Sequence, residues 1–148
     1  MPEENATKTL SKDSLHIARS CLLDSFAEIE ESIICLQAKF GHKPSTATLG
    51  QRLEALRKVQ ASSQLSKVTV TRLQTLLERL ATLNALRTDV VHAKMFVAPV
   101  AGEMRACFVN SLECSKEFPS ARLLTLDQFG KVSKELSELA ATLTKLAA

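Results

Sequence analysis

The sequence contains no tryptophan and no tyrosine, and its 6 phenylalanines are scattered. Aromatic platforms of the kind that stack successive bases in single-strand-binding domains are therefore scarce. Glycine and proline number only 4 each, and no repeat or low-complexity tract disturbs a composition of ordinary globular type. No apolar run approaches the roughly 18 residues of a membrane span. Met1 to Asn5 are polar and acidic and lack the apolar core of a secretion signal. No membrane partner is expected, and the expected location is cytoplasmic. The 4 cysteines, Cys21, Cys35, Cys107 and Cys114, form no CxxC pair and accompany no histidine cluster, which argues against a zinc site and a disulfide framework. They read as buried, reduced thiols, with neither metal nor cofactor expected. Net charge is +3. That permits contact with an anion without the clustered basic stripe of a dedicated nucleic-acid surface.

What the chain does contain is helical periodicity. From about Asp13 to Phe40, Leu15, Ala18, Leu22, Phe26, Ile29, Ile33, Leu36 and Phe40 recur at steps of three and four, the mark of one buried stripe. Residues 1–12 before it read as a flexible N-terminus, and residues 13–148 as a single helical domain. Gly41 ends the helix, and His42 to Thr48 is a turn-rich connection. A second helix over about Leu49 to Gln60 turns Leu49, Leu53, Leu56 and Val59 inward and leaves Arg52, Arg57 and Lys58 to the solvated face. After a break at Ser62-Ser63, a third helix from about Val70 to Val91 carries Leu73, Leu76, Leu77, Leu80, Leu83 and Leu86 on its apolar side.

The next region differs in kind. Phe96-Val-Ala-Pro99 and Arg105-Ala-Cys-Phe-Val109 are short runs of strand-forming residues on either side of Ala101-Gly102-Glu103. This predicts a β-hairpin over about 94–110, with Gly102 in the turn and Pro99 at an edge or end. Ser115 to Arg122 reads as loop. Thr125-Leu-Asp-Gln128 has the form of a capping box, opening a last helix to about Leu146 with Phe129, Val132, Leu136, Leu139, Leu143 and Leu146 inward.

One position breaks the apolar pattern. The series 73, 76, 80, 83 predicts the next inward residue at Arg87, and a charge on such a stripe marks either a functional site or a structural ion pair. As a structural residue, Arg87 snorkels from the helix end or pairs with a core carboxylate such as Glu28 or Glu31. As a functional residue it belongs with His92, four residues separating the two in Arg87-Thr-Asp-Val-Val-His92. Arginine is a permanent planar cation that matches phosphate, and histidine is the residue type that titrates nearest neutrality. Five steps of about 100° place the two roughly 140° apart on an ideal helix. Convergence therefore needs a distorted or ending helix near Val91, or a partner chain across a dimer axis. Asp89 is open between orienting His92, pairing with Arg87 and lying solvated. His16 and His42 read as surface residues.

An arginine-polar-x-x-x-histidine motif, Arg87 and Thr88 through His92, ending the third helix of a four-helix chain resembles the HEPN (higher eukaryotes and prokaryotes nucleotide-binding) superfamily. The acidic first helix with Asp24, Glu28 and Glu31, and the Leu49-Gly-Gln-Arg-Leu53 start of the second, add to the likeness. The resemblance covers most of the chain from about Leu15. It implies an all-α, HEPN-like four-helix up-and-down bundle with the β-hairpin as an insertion between helices three and four. It further implies a metal-independent endoribonuclease acting as a homodimer, in which two Arg/His pairs share one cleft. His92 would move protons at the ribose 2′-OH or the leaving oxygen, and Arg87 would hold the scissile phosphate, leaving a 2′,3′-cyclic phosphate.

The same resemblance implies supporting places for Thr88 and Asp89 and a role as a toxin or as a phage-defence or stress effector. An antitoxin or nucleotidyltransferase-type partner accompanies some such proteins. Their modified tyrosine, two residues after the histidine, is replaced here by Lys94, which excludes that form of control. Lys94 and Arg105 are candidate RNA-phosphate contacts or ordinary surface charges. The rival class is a non-catalytic, dimeric nucleotide-binding or protein-interaction domain. Surplus apolar residues on a second side of helix one, Ile17, Cys21, Ile34 and Cys35, suit a dimer.

Overall fold

Local chemistry explains most of the element boundaries. The structure, a computed structural model, describes residues 2–61, 65–109 and 121–148, with side chains from residue 12 onward. Helix α1 spans Pro2–Lys39, beginning well before the Asp13 expected from the apolar stripe. It stops where Gly41 takes a left-handed φ of 76°. The Gly41 N–H then donates to the Ala38 carbonyl and the His42 N–H to that of Gln37, meeting carbonyls that the ending helix leaves open. Helix α2 spans Leu49–Arg57, shorter than the expected run to Gln60. Thr48 and Gln51 form a capping box at its start. Helix α3 spans Lys67–His92, and the Ser66 hydroxyl accepts from the Thr69 N–H. The Ser62-Ser63 break lies outside the described residues.

Strands β1 (Lys94–Val100) and β2 (Glu103–Val109) form the expected hairpin. Ala101 and Gly102 between them have φ of 51° and 78°, the positive values that a two-residue type I′ turn requires. A third strand, β3 (Ala121–Leu124), pairs antiparallel with β2 and gives the order β1-β2-β3. This corrects the loop expected over Ala121 and Arg122; Ser115 and the rest of that stretch lie outside the described residues. The run is only four residues long, and pairing with β2 rather than local pattern makes it a strand. Pro99 sits on the edge strand β1, where an absent N–H leaves no ladder bond unmade. Helix α4 spans Leu126–Ala147 behind the Thr125–Gln128 capping box, with reciprocal bonds of 2.9 and 3.2 Å.

The chain forms two compact units, Met1–Phe26 with Arg87–Leu136, and Ala27–Leu86 with Ser137–Ala148. In the first, Leu15, Leu22, Phe26, Val90, Met95, Ala106, Phe108, Leu124, Phe129 and Leu136 are buried. Residues that face each other across the ladder lie on one face of the sheet, so Met95, Phe108, Ala106 and Leu124 make its inner face. Phe108 meets Phe129 of α4 edge-on at 6.3 Å.

In the second unit, Ile29, Ile33, Leu36, Leu49, Leu53, Leu56, Leu73, Leu77, Leu80 and Leu143 are buried. Arg52 is buried here too, not on the solvated face expected of it. Its guanidinium donates to Gln37 Oε1 at 3.0 Å and to the Ser45 carbonyl at 2.8 Å, pinning the α1–α2 connection. Cys21 and Cys35 are exposed and Cys107 is half-buried, against the expectation of buried thiols. Cys21 and Cys35 fall on the side of α1 away from its leucine and isoleucine stripe; Cys114 lies outside the described residues. Among the described residues, no helix is long and apolar enough to cross a membrane.

Candidate functional site

All of the candidate site residues fall in the first unit, around the C-terminal end of α3. Helix α3 stays regular through the motif. It runs to His92, and the Ala93 N–H still donates to the Asp89 carbonyl at 2.9 Å. The distortion near Val91 that would let Arg87 and His92 converge within one chain does not occur. Arg87 and Thr88 are half-buried, and His92 is exposed as the last helical residue. With the helix unbroken, the roughly 140° between Arg87 and His92 stands. Glu28 and Glu31 are exposed and are not core carboxylates.

Asp89 is the most buried polar residue of the motif, at 7% exposure. Its carboxylate accepts from Arg122 Nε at 2.6 Å, so it is no solvated acid. Burying a carboxylate is tolerable when a cation and hydrogen bonds come with it. Arg122 stands on β3 opposite Phe108, on the inner side of the sheet, and so the pair ties β3 to α3. No signal in the sequence pointed to Arg122, because the pairing spans elements far apart along the chain.

Arg19 of α1 is the second residue that sequence reasoning missed. Its Nε and Nη2 donate to the Val90 carbonyl at 3.1 and 2.7 Å, and Nη2 also reaches the Ala93 carbonyl at 3.4 Å. The last carbonyls of a helix have no intrahelical partners and carry the negative end of its dipole. The guanidinium satisfies the Val90 carbonyl directly. Its Cζ also lies 5.7 Å from the centre of the Phe108 ring. The signal was available: Arg19 follows Leu15 by four and precedes Leu22 by three, so it interrupts an apolar stripe just as Arg87 does.

Lys94 and Arg105 come from β1 and β2. Lys94 is exposed, with Nζ 5.0 Å from the centre of the Phe96 ring. Arg105 is half-buried and faces Glu103 at 3.9 Å. Both lie on the outer side of the sheet, opposite to Arg122. The fold thus gathers Arg19, Asp89 and Arg122 into a scaffold at the α3 terminus. His92 and Lys94 stay at the surface two residues apart. Among the described residues, no group of His, Cys, Asp and Glu side chains is placed to hold a metal ion. A groove lined by Glu28, Ser32, Cys35, Ala140 and Thr144 contains none of the candidate residues.

No protein-family model, no curated protein and no solved structure matches this chain.

Proposed function

We propose that the chain is a metal-independent endoribonuclease of HEPN type that works as a homodimer. The observation that carries this reading is the unbroken end of α3. It presents His92 at the surface and leaves Arg87 half-buried on another side of the helix. A pair so divergent acts on one phosphate only in trans, with the arginine of one copy beside the histidine of the other. The exposed side of α1, where Ile17 is 63% and Ile34 43% accessible, offers apolar surface to a second copy.

In the cleft so formed, His92 takes the proton from the ribose 2′-OH as that oxygen attacks the adjacent phosphorus. The bond to the 5′ oxygen breaks, that oxygen takes back the proton from the cationic histidine, and a 2′,3′-cyclic phosphate and a 5′-hydroxyl end remain. Arg87 neutralises the charge that grows on the phosphoryl oxygens. Asp89 and Arg122 hold the helix end from which both act. A part in toxicity, phage defence or stress response, with an antitoxin among the partners, belongs to the same reading, as does a cytoplasmic location. A second reading, a non-catalytic interaction domain, is favoured by one observation: the outer side of the sheet exposes Phe96, Val109 and Leu123.

The test is cleavage of a mixed RNA pool in EDTA by wild type, Arg87→Ala and His92→Ala. Cleavage by the wild type alone, leaving cyclic phosphate ends, is the expected result. Equal cleavage by His92→Ala removes the mechanism, and no cleavage by any of the three moves the assignment to the interaction domain.

A further inference from the structure

The outer face of the three-stranded sheet is absorbed neither by the core nor by the proposed chemistry. The cross-strand register puts Lys94 beside Val109 and Ala121, Phe96 beside Cys107 and Leu123, and Ala98 beside Arg105. Phe96 is 46% exposed, and Val109 and Leu123 are each 38% exposed. Among the described phenylalanines, Phe26, Phe108 and Phe129 are buried and Phe40 is half-buried, so Phe96 is the exposed ring. Two cations flank it on the same face, and the one described acid there, Glu103, sits at the hairpin end. The row begins two residues beyond His92.

From this we infer that the outer sheet face binds the single-stranded RNA substrate next to the cleavage site. An unpaired base stacks on Phe96, and Lys94 and Arg105 contact the phosphates on either side. The inference rests on the ribonuclease reading above and supplies its substrate class. A flat sheet with a ring flanked by cations suits a polyanion whose bases are free to turn outward. A duplex, with its bases stacked inside, offers nothing to the ring. An apolar protein surface would use the same side chains but would offer the Lys94 ammonium no anion.

The test measures binding of the full chain to short 2′-O-methyl RNA, single-stranded and duplex, by fluorescence anisotropy across a salt series. The methyl group blocks the attacking oxygen, so binding is read without cleavage. Phe96→Ala is expected to weaken single-strand binding about tenfold or more, with duplex binding unchanged. Phe96→Trp should retain or exceed wild-type affinity, and Phe96→Leu should not. Lys94→Ala and Arg105→Ala should each lower the salt slope by about 0.7. Wild-type affinity in Phe96→Ala or in Phe96→Leu overturns the inference. So does a shift from dimer to monomer in Phe96→Ala with RNA affinity unchanged, which assigns the face to a second copy. The two readings fail separately. Loss of cleavage in His92→Ala with unchanged binding in Phe96→Ala removes only the platform, whereas Phe96-dependent binding without any cleavage by wild type removes only the nuclease.

Discussion

Replacing Arg122 by Met removes the cation that meets Asp89 while keeping an unbranched apolar stem. The Asp89 side chain is 11% exposed and the Arg122 side chain 38%. Losing one partner of a fully buried ion pair costs about 3–5 kcal/mol. Here the arginine is partly wet, and the loss falls nearer that of a hydrogen bond to a charged group, about 1.5–3 kcal/mol. For a chain of this size each kcal/mol lowers Tm by about 2–4 °C. A fall of about 3–12 °C is therefore expected, read by thermal melting of the far-UV circular dichroism signal. A double-mutant cycle with Asp89→Asn isolates the pair and should return a coupling of about 1–2 kcal/mol. Arg122→Lys should recover only part of the loss, since a single ammonium does not reproduce the guanidinium geometry. A Tm within about 1 °C of wild type for Arg122→Met, or a coupling near zero, would refute the claim that this pair fastens β3 to α3.

Mixing Arg87→Ala with His92→Ala, each inactive alone, should recover part of the cleavage, because one of the two trans Arg/His pairs in the shared cleft of a mixed dimer stays intact. Absence of any recovery, with subunit exchange confirmed, would mean that the pair does not act across copies. Ala101 adopts φ of 51° in the hairpin turn, so Ala101→Gly or Ala101→Asn should raise stability by up to about 1 kcal/mol in urea titrations. Gly41 stands at φ of 76° with open space where a Cβ would go. Gly41→Ala should therefore lose about 1–2 kcal/mol through backbone strain alone, and an unchanged urea midpoint would contradict that backbone assignment.

The features legible in the sequence are those set by neighbours along the chain. The α1 and α3 stripes, the glycine stop at Gly41, the turn at Gly102 and the Thr125 capping box each depend on residues a few positions apart. Their side-chain and backbone preferences act before any tertiary contact forms. The motif from Arg87 to His92 was visible for the same reason: it is a spacing on one helix. Ala121 and Arg122 were invisible as a strand because four residues carry no period strong enough to read. Their strand state exists only through the bonds to β2. Arg52 shows the limit from the other side. Its place beside Arg57 and Lys58 reads as a basic face, yet its two terminal nitrogens donate to Gln37 and Ser45 inside the second unit.

The linear order of residues was thus enough to set the helices, the hairpin and the position of Arg87 and His92 at the end of α3. Folding alone set what surrounds that end. Arg19 bonds the Val90 carbonyl from 71 residues away, and Arg122 meets Asp89 from 33 residues away. The physical reason is that helix and turn formation are governed by short-range sterics and hydrogen bonding. The partner of a buried charge, by contrast, is whichever group the packed core brings within reach.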